Sequence, residues 1–535
     1  MKISHNSSPV RLLSIALFTS AMALTSQAQA QQAPEKEAEP PEDAPSPEDA
    51  SLLTVGAQEM QTSATDVQVE LLQQQVAALQ TQLDLLKAQL PKATPTWKGA
   101  PQSEDKDAGW SFKVRGRLML DAAYAAKPDN YVANRNLGFN ARVRRFRIGV
   151  EGAIPGGFGY KAEVDYANST VGFGDVILTY APAGKPFSVT LGNHETLNGI
   201  EQQTSSRWSS FIERAQVNDA FLNTRRLGIS AGFKTTDNLF RVDAGLFTAH
   251  SIDASVDNDG WIGAARMTYA PTLGSGFLHL GVNYQHREFQ SNNNAVASSS
   301  AGAPSTNQIA RYRARPFLQT TDVRFVDTGN FAASGDDIFG AEAYGVFKSL
   351  HLGGEVQLLK ANSYAPGSIR NGLDAFTGGS LVTATSDPSF FGGHFEVGYF
   401  LTGETRGYKN GLWDRTKVLK PFDKGGWGAV QLTGRFDYLD LDTDRLVNGP
   451  TTNFGTGVQT LAAAGARQAR GGTQTGYLLG LTWIPTDYVR FLLNYIHTEV
   501  KGGTFAAAAR PLSTDPVNDR SYSTDAIAVR AQIDF

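Results

Sequence analysis

The chain has 535 residues, 41% hydrophobic and 19% charged, with a formal net charge of −4 and no cysteine. This composition excludes a polytopic helical membrane protein, which needs repeated apolar runs of roughly 20 residues, and 10% aromatic residues exclude a wholly disordered chain. Without Cys there are no disulfides, thiol nucleophiles or Cys-based metal sites, and the mild acidity gives no reason to expect nucleic acid; a soluble enzyme or a β-barrel with a polar lumen remains.

Residues 1–30 read as a secretory signal. Lys2 and Arg11 form a basic start, 12–24 an apolar stretch, and Ala28-Gln29-Ala30 a small-x-small cleavage site. The mature protein is expected to begin near Gln31, outside the cytoplasm. Residues 31–66 form a Pro/Glu/Ala-rich linker whose composition cannot bury a core. Over 67–90, Val69, Leu72, Val76, Leu79, Leu83, Leu86 and Leu90 alternate in steps of three and four, and Pro91 ends the run. That spacing predicts one narrow apolar seam on an α-helix, an oligomerising coiled coil or else an amphipathic helix packed on its own domain. Residues 91–110 are a second linker.

From 111 to 535 the pattern changes to period two. Phe112, Val114, Leu118 and Leu120 alternate with Lys113, Arg115, Arg117 and Asp121; Leu432, Phe436 and Tyr438 with Gln431, Thr433, Arg435 and Asp437. In the last segment, Ile527, Val529, Ala531, Ile533 and Phe535 alternate with Arg530, Gln532 and Asp534. Each such strand has one apolar and one polar face. This criterion predicts sixteen strands: 111–125, 138–153, 158–167, 173–181, 186–192, 225–233, 238–248, 260–270, 276–287, 338–347, 350–361, 389–402, 427–440, 475–484, 488–499 and 524–535. Short turns on one side alternate with mostly longer loops on the other, such as 193–224 and 288–337; the connection 403–426 is long on the short-turn side. An even number of strands with this asymmetry and a terminal aromatic predicts an all-β fold, a sixteen-stranded antiparallel transmembrane barrel of the outer membrane.

The net charge divides unevenly. Residues 31–110 hold 5 basic and 14 acidic side chains, whereas 111–535 hold 29 Arg and 12 Lys against 38 acids. The barrel is therefore mildly basic and rich in Arg, whose permanent charge and planar fork of donors suit oxyanions that shed water. If Ile148 and Val150 face lipid, Arg145 and Arg147 face the lumen, and Arg144 points outward unless a bulge re-aims it. The loop 193–224 carries Arg207 and Arg214 with Thr204, Ser205, Ser206, Ser209 and Ser210. Arg311, Arg313 and Arg315 share one face of an extended segment by their period-two spacing. The competing reading makes these arginines members of a stabilising Arg–carboxylate ladder, or of a solvated loop.

Enzyme motifs fare poorly. Gly228-Ile229-Ser230-Ala231-Gly232 fits G-x-S-x-G but falls inside a strand, where the nucleophile elbow needs a strand-to-helix turn. His194-Glu195 lacks the second His of H-E-x-x-H. Asp437, Asp440, Asp442 and Asp444 suggest a solvated strand end before a calcium site. No catalytic residue, metal or cofactor is predicted.

Several segments together resemble the phosphate-selective porin O/P family. They are Arg144-Arg145-Phe146-Arg147 with Gly149-Val150-Glu151-Gly152, Tyr160 to Asp165, Thr204-Ser205-Ser206-Arg207, Phe211 to Ala215, Arg226-Leu227-Gly228, Gly398 to Glu404, Asn494 to His497 and Arg530 to Phe535. They occur in family order across 111–535. The resemblance implies a trimer that passes phosphate, pyrophosphate or polyphosphate passively through an arginine-lined lumen, with the third long loop folded inward. It implies a central site at Arg144, Arg145 and Arg214, joined in the constriction by Arg147, Arg207 and Gln202, and a guiding ladder at Arg311, Arg313 and Arg315. Gln202 stands where phosphate-selective members carry Lys, which puts the preferred anion in doubt. The expected setting is the bacterial outer membrane among lipid and lipopolysaccharide, with the coiled coil in the periplasm. The alternatives are a porin for small dicarboxylates and a structural or adhesive barrel tethered through its coiled coil.

Overall fold

The computed structural model describes residues 67–85, 95–97, 99–128, 136–167, 171–221, 224–249, 252, 260–289, 308–364, 381–447 and 470–535. The signal 1–30, the linker 31–66 and the seam positions Leu86 and Leu90 lie outside the described residues. Helix α1 covers 67–85, and its seam residues Val69, Leu72, Val76, Leu79 and Leu83 are exposed.

The second unit, 91–535, is built on sixteen long strands. They are β1 (Trp110–Ala125), β2 (Gly138–Ile154), β3 (Phe158–Asp165), β4 (Gly172–Tyr180), β5 (Phe187–His194), β6 (Arg226–Lys234), β7 (Phe240–Thr248) and β8 (Trp261–Tyr269). The second half comprises β9 (Gly276–Glu288), β10 (Asn330–Phe347), β11 (Leu350–Ser363), β12 (Ser389–Phe400), β13 (Ala429–Asp440), β14 (Thr473–Thr486), β15 (Val489–Lys501) and β16 (Ser521–Asp534). Each pairs antiparallel with the next, and β16 returns to β1 in a register running from Ala526↔Ala125 to Asp534↔Arg117. Closure satisfies the backbone of every strand without water, which is what lets strands sit in lipid.

The alternation read from the sequence is inverted relative to a soluble protein. On β13, Leu432 and Phe436 are exposed while Gln431, Thr433, Arg435 and Asp437 are buried inside; β16 repeats this with Ile527, Val529 and Ile533 outside and Arg530, Gln532 and Asp534 inside. Exposed and half-buried aromatics pair along the outer wall, including Phe158 with Tyr180 (4.9 Å), Trp483 with Phe491 (5.4 Å), Tyr284 with Phe339 (4.9 Å) and Phe436 with Tyr477 (5.5 Å).

The seam is locked by the last residue. Phe535 exchanges backbone hydrogen bonds with Gly116, at 3.1 and 3.2 Å. Its ring lies over that glycine so closely that a Cβ there would meet ring atoms at 2.1 Å. Gly116→Val is therefore expected to displace the terminal ring and sharply reduce the yield of closed barrel, read as loss of the heat-modifiable band on gels.

The largest buried apolar cluster lies at the long-loop end. Val217, Phe221, Tyr312, Phe325, Phe331, Leu439 and Phe505 form a buried cluster, together with the alanines of a short helix, Gly503–Ala509. Loop residues pack there against strand residues such as Phe331, Leu359, Phe390 and Leu439, so the loops are held in place within the barrel mouth.

Candidate functional site

After β5 the alternation stops, and residues 195–221 include two short helices, α2 (Ile200–Gln203) and α3 (Gln216–Ala220). This segment turns into the barrel and crosses it, because its anchors lie on the opposite wall. Glu342 of β10 and Glu355 of β11, directly paired across their strands, accept the backbone N–H groups of Ile200 and Glu201, the latter at 2.8 Å. Arg435 of β13 donates to Glu201 (2.9 Å) and to Glu396 of β12 (2.7 Å), and its guanidinium lies 4.6 Å from the Phe211 ring centroid. Asn494 of β15 accepts from Ile212 N–H at 2.8 Å. Asp437 accepts from Gln216 N–H at 3.3 Å, so it is a buried support of the loop and not a solvated strand end.

Two other segments meet the inward loop. Phe317 and Leu318 of the β9–β10 connection pack with Phe211 and Ile212 against Leu478, Leu492 and Ile496. From the short-turn side, the long connection after β12 folds back as a small hairpin, Gly407–Lys409 and Leu412–Asp414. Its Trp413 N–H donates to Thr204 Oγ1 at 3.2 Å, and Arg406 stacks 3.8 Å from the Trp413 ring. The length that set this connection apart in the sequence serves to buttress the inward loop.

The arginine pair of β2 owes its orientation to a bulge. Met119 pairs with Arg145 but Leu120 pairs with Val143, leaving Arg144 as the extra residue. The slip turns Arg144 inward beside Arg145, while Phe146 and Ile148 stay outside. Arg144 forms a forked pair with Glu213 of the inward loop (2.7 and 3.1 Å). Glu213 also takes Arg530 at 3.0 Å, and Arg530 holds Asp121 at 2.6 and 2.7 Å. Burial pushes the Glu213 carboxyl up, but Arg144, then Arg530 and Arg145, outweigh it and hold it at about 2. Its unfolded value is about 4.3, so the stability it lends is present above that pH and is lost as pH falls towards 2.

The other arginines differ in how far acids neutralise them. Arg147 pairs with Glu163 (2.8 Å) and Asp165 (2.7 Å). Arg145 is buried, and its hydrogen bond goes to Met119 Sδ at 3.9 Å. Arg214 donates to the carbonyls of Glu201 and Thr204, both at 2.8 Å. Among the described residues, neither Arg145 nor Arg214 has a carboxylate within 4.0 Å. Arg207 lies 3.8 Å from Asp534 and 3.2 Å from Ser205 Oγ, and burial lowers it to about 10. Gln202 donates to Glu195 at 3.2 Å.

Along the β9–β10 connection, Tyr312 and Ala314 are buried and Arg311, Arg313 and Arg315 lie on the opposite face. Arg311 is clamped by Asp327 (2.8 and 2.6 Å), and Arg315 and Arg324 share Asp219 (3.2 and 2.8 Å). Among the described residues Arg313 has no such acid; burial, then Arg311 and Arg324, lower its pKa from the usual value without removing its charge. The loop hydroxyls largely serve the wall: Ser206 accepts from Arg117 (2.6 Å), Ser210 donates to Glu396 (3.3 Å), and Thr204 holds Trp413. Ser230 faces His194 at 2.8 Å from within β6, without the turn that a nucleophile elbow needs.

Sequence reasoning passed over Glu213, Gln216, Asn218, Arg435 and Arg530. The two arginines occupy inward positions of alternating strands and were open to that reading; the loop residues have no periodicity to place them.

Comparison with known proteins completes this description. The family described as phosphate-selective porin O and P matches residues 112–535. An uncharacterised protein of Caulobacter vibrioides is 32% identical over 450 residues, 82% of this chain and 77% of that one. Porin O of Pseudomonas aeruginosa is 25% identical over 423 residues, 75% of this chain and 85% of that one. Among solved structures, the anion-selective porin of Comamonas acidovorans aligns over 80% of this chain and 100% of that one, with 12% identity and a TM-score of 0.42. The chain therefore belongs to the phosphate-selective porin O and P family, and it is a porin of the bacterial outer membrane.

Proposed function

We propose that this porin passes small oxyanions passively, phosphate foremost, and that Arg145 and Arg214 are the cations an anion meets at the constriction. The observation that carries the reading is their lack of a neutralising carboxylate among the described residues. An anion that sheds water in a narrow pore needs fixed donors, and buried guanidinium groups without acid partners supply them at full charge. Arg144 contributes through its fork with Glu213, and Arg207 lies towards the short-turn side beside Asp534. Arg311, Arg313 and Arg315 act upstream as a row of weak sites, which suits conduction because an ion must both enter and leave.

The balance of charge favours phosphate and comparably small anions over long polyphosphate. Gln202 replaces the family's Lys, and the Arg144–Glu213 pair is internally neutral. Small dicarboxylates fit the same account. The working assembly is a trimer, as the family resemblance implies, with 1–30 as a cleaved signal and helix α1 as part of a periplasmic coiled coil.

Single-channel recording in a planar bilayer with chloride as carrier tests this. Anion selectivity and partial block of the chloride current by micromolar to millimolar phosphate are expected. Cation selectivity, or no conductance, overturns the reading.

A further inference from the structure

Across four strands of the far wall, one level of the barrel carries a continuous row of buried titratable side chains. Glu342 of β10 pairs in register with Glu355 of β11, Glu355 with His394 of β12, and His394 with Asp437 of β13. Glu396 lies two residues further along β12, and Glu201 of the inward loop meets it through Arg435. This region holds more acid than base. Arg266 serves Glu342, and Arg406 and Arg435 serve Glu396, whereas Glu355 and Asp437 have no basic side chain within 4.0 Å among the described residues. Buried carboxylates without partners favour an added cation.

Three of these groups converge. A ring nitrogen of His394 and one carboxylate oxygen each of Glu201 and Glu396 lie within 4.8 Å of one another, on residues that are 5%, 2% and 1% exposed. Zinc bonds to such atoms are about 2.0–2.2 Å long, so a small side-chain movement closes the set on one ion. His394 also carries an unmet atom. Its Nε2 meets the Tyr344 hydroxyl at 2.9 Å, and in either tautomer Nδ1 is left without a hydrogen-bond partner among the described residues. With Nε2–H donated to Tyr344, the ring is oriented and Nδ1 presents a lone pair, as in metal-bound imidazoles. Arg435, the cation already there, fits poorly. It reaches both acids through Nη2 alone, and its buried Nε and Nη1 have no partner among the described residues.

We infer that Glu201, His394 and Glu396 form a site for a divalent transition-metal ion, zinc or cobalt, that ties the inward loop to β12. One imidazole with two carboxylates suits such ions, whereas calcium and magnesium take oxygen ligands alone. The Arg435 guanidinium then moves off the pair, and Asp437, two residues along the same inward face of β13, receives it. The Glu201 carbonyl accepts from Arg214 at 2.8 Å, so an ion that fixes Glu201 also steadies an arginine of the inward loop. The site goes beyond the anion-porin reading and does not depend on it.

The test uses the full-length porin without a histidine tag, folded into detergent micelles with Zn2+ or Co2+ and then freed of loose metal on a chelating resin. About one ion per chain should stay bound, as deeply buried ligands predict, and Co2+ should show visible ligand-field bands. His394→Gln should retain at least about tenfold less metal, since losing even an orienting partner of a ligand costs that much. Glu201→Gln alters the loop and leaves the wall intact; it should lose as much, and it keeps the test decisive if His394→Gln fails to assemble. His497→Gln, on the outer wall beside Asp525, should retain as much metal as the unaltered chain. Zinc should also raise the unfolding temperature and restore most of what Arg435→Met loses, because the ion again joins Glu201 to Glu396. No metal retained by the unaltered porin, equal retention in Glu201→Gln, equal loss in His497→Gln, or an unfolding temperature that zinc leaves unchanged each overturns the inference. A cation-selective pore that still retains zinc removes the anion reading and leaves this site standing.

Discussion

Arg435→Met is expected to lower the temperature of barrel unfolding markedly and to give larger, noisier chloride currents with weaker anion selectivity. Arg435 is fully enclosed and joins Glu201 of the inward loop to Glu396 of the wall through one nitrogen. Removing one partner of a buried ion pair leaves the other charge uncompensated, at a cost of about 3–5 kcal/mol. Glu396 retains Arg406 at 2.5 Å, but Glu201 has no second cation within 4.0 Å among the described residues. The strain therefore falls on the loop, which loses its tether on the far wall. Combining Arg435→Met with Glu201→Gln should recover a large part of the loss. A double-mutant cycle on the heat-induced gel shift measures the coupling, which exceeds the roughly 0.5 kcal/mol of independent sites. Additive effects would show that the loop is held by its other anchors alone.

The second large effect separates the arginines by their partners. Arg145→Ala with Arg214→Ala should weaken phosphate block of the chloride current by at least about tenfold, since a hydrogen bond to a charged group is worth about 1.5–3 kcal/mol and about 1.4 kcal/mol is tenfold. Arg147 lies two residues from Arg145, yet Glu163 and Asp165 already absorb its charge. Arg147→Met paired with Asp165→Asn, a charge-neutral change, should leave block within about threefold of the unaltered pore. Block that falls equally in both variants would mean that proximity to the constriction, not freedom from acid partners, selects the functional arginines. Higher salt should reduce all of these differences at the exposed ladder before it reduces them at the buried pair.

The barrel was legible because lipid and lumen impose opposite demands on alternate residues, and every strand repeats them. The sixteen strands, the asymmetric connections and the terminal phenylalanine all follow from that rule. The orientation of Arg144 did not, since period two alone sends it outward and only the slip between Met119 and Leu120 brings it in. Partnerships across the lumen were beyond reach for a different reason. Glu213 with Arg530, or Glu201 with Arg435, joins residues separated by 317 and 234 positions, and no local pattern links them. Even the ladder arginines, placed on one face by spacing, turn out to differ because Asp327 and Asp219 claim some and not Arg313.

The anchors of the inward loop carry a consequence for biogenesis. Glu342, Glu355, Arg435, Asn494 and Arg530 all follow the loop in the chain. The segment that narrows the lumen precedes in the chain most of the wall that fixes it, since only Arg117 and Arg144 come before it. Until β16 meets β1, Glu213 cannot hold both Arg144 and Arg530, so the filter is finished only when the cylinder closes. A barrel halted short of its last strand would be a leak before it was a filter. Ordering the chain this way makes selectivity the final property the protein acquires.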